Sequence, residues 1–128
     1  MLKKLSLLLL VILYVGAGVN HFIHPEFYAS IMPPYIPAPL FMVELSGVAE
    51  FALGILLIPV STRKWAAWLI AIMLIVFISV HVFMLQQAYT VENYNISVRA
   101  AWTRLLFQPF LIFWVLWQGR GAGNKVRK

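Results

Sequence analysis

Four long apolar runs constrain this chain more than any other feature in it. They extend from about Leu5 to Phe22, Leu40 to Ile58, Trp65 to Met84 and Ala100 to Trp117. Each is roughly 18–20 residues, which at about 1.5 Å per residue matches a hydrocarbon core about 30 Å thick. Lipid offers no hydrogen bonds to backbone amides, so continuous apolar segments satisfy their own as helices. A β-barrel needs alternating residues, which these runs lack. Composition argues against a soluble domain. The 128 residues are 62% hydrophobic and 11% charged, against about 45–50% apolar and 25% charged in soluble domains. A chain this short has too little interior to hide that excess. The expectation is an all-α fold: a four-helix transmembrane bundle forming one domain over residues 1–128, with a flexible basic tail at 118–128.

Lys and Arg set the expected orientation. Lys3 and Lys4 precede the first run, Arg63 and Lys64 separate the second from the third, and Arg120, Lys125, Arg127 and Lys128 follow the fourth. The loop from Ile23 to Pro39 has neither residue type, and the loop from Leu85 to Val98 has none before Arg99. Both termini are therefore expected in the cytoplasm, in a multi-pass inner (plasma) membrane protein. The net charge of +6 then reflects topology and contact with anionic lipid, not nucleic-acid binding. Trp65, Trp68, Trp114 and Trp117 fall near the inner interface and Trp102 near the outer one. MLKKLSLLLLVILYVGA also has the form of a signal peptide. We read it as a span, because the run stays apolar or small to Val19 and an even number of spans suits the charge pattern. No cysteine is present, which removes disulfides and thiolate chemistry. Any redox role then needs a bound cofactor or a partner.

The first outer loop holds Pro33, Pro34, Pro37 and Pro39, through which a helix cannot run. A short turn around Glu26 to Ile31 followed by extended chain is expected. Tyr28, Met32 and Tyr35 would lie at headgroup level, over the outer mouth. We read the segment as a stiff connector in preference to a lid. The second outer loop is polar, and Asn95-Ile96-Ser97 has the form of a glycosylation triplet.

Polar residues inside the runs fall at related depths. Counted inward from the outer boundary, His21 and His81 lie at roughly 5 Å, and Glu44 and Arg104 at roughly 6 Å. Gln108 lies about 12 Å down and Glu50 about 15 Å. A charged group facing lipid costs roughly 2.5–3.5 kcal/mol, so these groups are expected to turn inward and meet. Ser46, Glu50 and Gly54 share one helix face, with Gly47 beside them, while Ala100, Arg104 and Gln108 share another. The expected site is a buried polar cluster of His21, Glu44, Glu50, His81, Arg104 and Gln108. One glutamate should face Arg104. Depth favours Glu44, and the small-residue face favours Glu50. Met73 and Met84 read as core or lipid-facing filler. A haem between His21 and His81 and a metal at His21, His24 and Glu26 are the weaker readings, and no metal is expected.

AGVNHFIHPEFY, PPYIPAP, SGVAEFALGILLIP with TRKWAAW, HVFM and RLLFQPFLIFW, taken in order, resemble the DoxX-like family of small bacterial membrane proteins. The likeness runs from about Leu7 to Trp117. It implies four transmembrane helices, and places His21, Glu50, Arg104 and Gln108 at motif positions with no catalytic role assigned. Some members of that family are subunits associated with thiosulfate:quinone oxidation, and others are linked to redox-stress assemblies. Three functions are compatible with the residues. The first is an accessory subunit that binds a quinone in the polar slab beside an oxidoreductase partner. The second is a small proton-coupled transporter working as a homo-oligomer. The third is a scaffold whose cluster is purely structural.

Overall fold

The computed structural model describes residues 1–121. These form five helices and, among the described residues, no strand: α1 (Leu2–Ile23), α2 (Pro25–Ser30), α3 (Pro39–Leu56), α4 (Val60–Thr90) and α5 (Val98–Gly119). All but the six-residue α2 are long and apolar enough to cross a membrane. The four long helices coincide with the four apolar runs, and α2 with the expected turn after His24.

Helix ends depart from the runs where polar residues lie beyond the apolar stretch. The third run was expected over 65–84, yet α4 has 31 residues, about 46 Å at helical rise. Neither Gly nor Pro occurs between Val60 and Thr90, so nothing stops the helix where lipophilicity ends. The second run ends two residues early, because Leu57 to Pro59 turn the chain. There Arg63 donates from Nε to the Leu57 carbonyl at 2.8 Å, and Thr62 donates to the Leu56 carbonyl at 2.7 Å. Carbonyls orphaned at the end of α3 thus gain donors from the start of α4. At its other end α3 follows Ala38, which adopts a left-handed conformation (φ 47°) between two prolines.

The bundle is built from two helix pairs, α1 with α3 and α4 with α5. Small residues make the first seam. A Cβ on Gly18 would lie 2.7 Å from both the Gly47 carbonyl oxygen and the Phe51 nitrogen, and a Cβ on Gly47 would lie 2.8 Å from the His21 Cβ. Backbones this close need glycine on both sides. The pairs join through α3 against α4 and a narrower contact of α1 with α5, whereas α1 and α4 have no Cα pair within 8 Å. Leu10, Leu57, Ile70, Leu74 and Val115 fill the centre toward the lysine-bearing end. A second small core at the opposite end joins Ile31, Met84, Ile96 and Ala101, with Phe27 and Tyr28 of α2 packed on it. Met84 is therefore core.

The expected flexible tail begins too early. Gln118 and Gly119 belong to α5, and Gln118 is 1% exposed. Its amide donates to Ser6 Oγ at 2.9 Å and to the Lys3 carbonyl at 3.3 Å, while Trp114 Nε1 donates to Ser6 at 2.8 Å. An amide at the end of an apolar run reads as interfacial. Here it ties α5 to α1. The remainder of the expected tail, residues 122–128, lies outside the described residues.

Candidate functional site: a polar cavity between the helix pairs

The gap between α1 and α4 is a cavity of about 210 Å³. Its walls come from all four long helices and from the segment after α1. Apolar Leu74, Phe77, Val80 and Leu111 cover most of it, and Tyr14, His21, Ser46, Glu50, His81, Arg104 and Gln108 supply the polar surface. It lies in the half of the bundle away from Lys3, Arg63 and Arg120.

His21 and Glu50 form its best-defined pair. Gly18 and Gly47 bring α1 onto α3, which sets His21 Nε2 3.2 Å from Glu50 Oε2 with both residues 6% exposed. That separation is within ion-pair reach, but the ring nitrogen and the oxygen are not aligned for a hydrogen bond, and among the described residues Oε2 has no hydrogen-bond partner. The other face of the imidazole is fixed. Ser46 donates to the Val43 carbonyl at 2.9 Å, so its oxygen and that carbonyl are both acceptors toward His21 Nδ1, at 3.0 and 3.1 Å. Nδ1 therefore carries hydrogen, and Nε2 faces the carboxyl. Tyr28 lies tilted against the imidazole with ring centroids 4.0 Å apart, and Asn20 donates to the Tyr28 hydroxyl at 2.6 Å. The connector is thus a wall of the cavity: Tyr28, Ile31 and Met32 line it. Tyr35 is 69% exposed and takes no part.

Across the cavity His81 Nδ1 lies 2.8 Å from the Phe77 carbonyl, so this nitrogen too is a donor. In the neutral ring Nε2 is then an acceptor, matched by the Gln108 amide nitrogen at 3.4 Å. Among the described residues the amide oxygen of Gln108 is left without a partner, as are the hydroxyls of Tyr14 and Tyr94. Pro109 follows Gln108 within α5. Outside the spans, burial pushes the Tyr94 phenol above its usual range.

Five of the six expected cluster residues line the cavity: His21, Glu50, His81, Arg104 and Gln108. Glu44 does not. It is exposed, six positions before Glu50, which at 3.6 residues per turn turns it away from the cavity. Depth alone placed it with the others, and depth carries no information about helix face. The expected glutamate–arginine pair is also not formed. Among the described residues Glu50 pairs with His21, and Arg104 has no carboxylate partner but lies with Cζ 5.7 Å from the Phe27 ring centroid. His24 and Glu26 are exposed, and no three His, Asp or Glu side chains converge among the described residues. Tyr14 was missed. It stands seven residues before His21, two helical turns along the same face, and that spacing was legible. Tyr28, over the outer mouth, and Ser46, on the Glu50 face of α3, line it as well.

Fold and site together define a small helical bundle of transmembrane type, with four candidate spans around a polar cavity. The chain belongs to the family described as Domain of unknown function (DUF8561), whose model matches residues 10–118. Comparison with curated proteins and with solved structures returned no match.

Proposed function

We propose that this chain is a multi-pass inner-membrane protein that holds the oxygen-bearing ring of a quinone-like lipophile, as an accessory subunit beside an oxidoreductase partner that carries the electrons. One observation carries the reading. Glu50, Gln108 and Tyr14 line one cavity, and Glu50 Oε2, Gln108 Oε1 and the Tyr14 hydroxyl are buried with no hydrogen-bond partner among the described residues. A network that served only to fix helix register would satisfy its members, because an unpaired buried polar atom costs about 1–3 kcal/mol. Residues with unpaired polar atoms, brought by three helices to the wall of one cavity, suit a guest with its own donors and acceptors. Volume agrees. A cavity of about 150 Å³ encloses benzene, so one of about 210 Å³ suits a single substituted ring and is too small for a porphyrin.

Both termini are cytoplasmic in this proposal, because Lys3, Lys4, Arg63, Lys64 and Arg120 cluster at one end of the bundle and Arg99 and Arg104 lie toward the other. The ordered motifs support kinship with DoxX-like proteins. A proton-coupled transporter would use the same Glu50, but Arg104 at the cavity repels a cationic substrate.

Organic extraction of the protein purified from its native membrane tests the reading. A ring with quinone absorbance, changed by borohydride, is expected. Extracts lacking it, from protein that also fails to bind added benzoquinones, would refute the proposal.

A further inference from the structure

Two of the residues that line the cavity are also exposed on the outside of the bundle: Leu13 on α1, 38% exposed, and Arg104 on α5. Both lie on the seam between α1 and α5. At 3.6 residues per turn, Ser6, Leu13 and Ala17 share one stripe of α1, and Arg104, Leu111 and Gln118 share one stripe of α5. Near Lys3 these stripes are tied by the hydrogen bonds of Trp114 and Gln118 to Ser6. Toward the other end no hydrogen bond links the two helices among the described residues, and α1 presents the small Ala17 there. The end of the cavity is covered differently. Tyr28 lies against the His21 ring, and Ile31 is buried against Met84.

The geometry points to a lateral opening between α1 and α5, through which the hydrocarbon tail of a membrane-borne amphiphile extends while its oxygen-bearing head occupies the cavity. This rests on the proposed ring-binding function and specifies the ligand: a tailed lipid, taken from the bilayer side, in place of a free ring. Three features fit it. The cavity volume accommodates a ring but no long tail. Leu13 and, one position before the cavity-lining Gln108 on α5, Phe107 are apolar and exposed, as a rim facing acyl chains requires. Arg104 stands at the threshold with no carboxylate partner among the described residues, steadied against the Phe27 ring. Its guanidinium can donate to an oxygen on the edge of the ring.

The test uses the full chain in lipid nanodiscs and two probes, 2,3-dimethoxy-5-methyl-1,4-benzoquinone and its 6-decyl derivative, with affinities corrected for partition into the disc. Leu13→Trp fills the opening. Val48→Trp places the same bulk on the exposed face of α3, where Val48 is 55% exposed. The affinity ratio of tailed to tailless probe is expected to fall at least tenfold in Leu13→Trp and to be unchanged in Val48→Trp. Should Leu13→Trp not fold, Ala17→Leu narrows the same gap and is expected to shift the ratio the same way. An unaltered ratio, in a chain that still binds the tailless probe, overturns the lateral opening and leaves the ring site standing. Binding of neither probe by the unmodified protein overturns both.

Discussion

At Glu50 the nearest basic group is an imidazole, 3.2 Å away, and that choice governs what the residue can do. An arginine is always charged and would lock a carboxylate into a permanent pair. Histidine changes charge by gaining one proton. With Nδ1 of His21 committed to Val43 and Ser46, a single proton on either Nε2 or the carboxyl leaves the pair neutral overall, whichever of the two carries it. Because Oε2 accepts no hydrogen bond from the described residues, Glu50→Gln should change unfolding free energy by less than about 1 kcal/mol, measured by thermal or denaturant unfolding in detergent. A structural tie would lose several times more. Tyr94 offers a second residue-scale check. Its hydroxyl is buried and unpaired among the described residues, so Tyr94→Phe should be neutral or stabilising by up to about 1 kcal/mol. Its folded-state pKa is raised, so the protonated phenol is favoured by folding. That contribution is complete below the unfolded value near 10 and is lost as pH rises through the folded one. Tyr94→Phe should therefore unfold less readily than the parent chain above pH ~10. Residue identities disclosed most of the site, because ionisable groups in lipid-length runs have few places to go. Glu44 shows the limit. Its depth matched Arg104, yet its helix face did not.

The two elements that make the pair, α1 and α3, meet where neither has a side chain. A Cβ at Gly18 would meet backbone atoms of Gly47 and Phe51 at 2.7 Å, and backbone cannot rotate aside. Gly18→Ala should cost about 1–3 kcal/mol through overpacking and draw His21 away from Glu50. Gly16 is on the same helix with nothing within 4 Å of its Cβ position, so Gly16→Ala should be neutral or slightly stabilising. Equal melting temperatures for the two variants would contradict the seam as described. The ends of elements were the least legible part of the sequence. Apolar runs mark where a helix is in lipid, not where its hydrogen bonding stops, so α4 continues through Gln86 and Gln87. Gln118 was assigned to the tail because a polar residue past a tryptophan resembles an interface. Its partners, Ser6 and the Lys3 carbonyl, are more than a hundred positions away in sequence, and nothing local to it signals them.

For the whole molecule, the four apolar runs were enough to anticipate the number of long helices. They did not reveal that the helices form two pairs with a gap between α1 and α4, because that depends on which faces carry glycine and which carry bulk. Orientation can be tested without changing any existing cysteine, since there is none. Tyr35→Cys and Trp65→Cys stand at opposite ends of the bundle, 69% and 72% exposed. In intact cells a membrane-impermeant maleimide should label the first, and it should label the second only after permeabilisation. The reverse pattern would invert the proposed topology. The central claim, a ring held by the polar wall of the cavity, is tested most directly by titrating the chain in nanodiscs with a tailless benzoquinone and melting the same samples. Glu50→Gln and Arg104→Gln should each weaken binding at least fivefold while melting within a few degrees of the parent chain. Full binding in both variants, with melting temperature lowered instead, would show that these residues hold the bundle together and bind nothing.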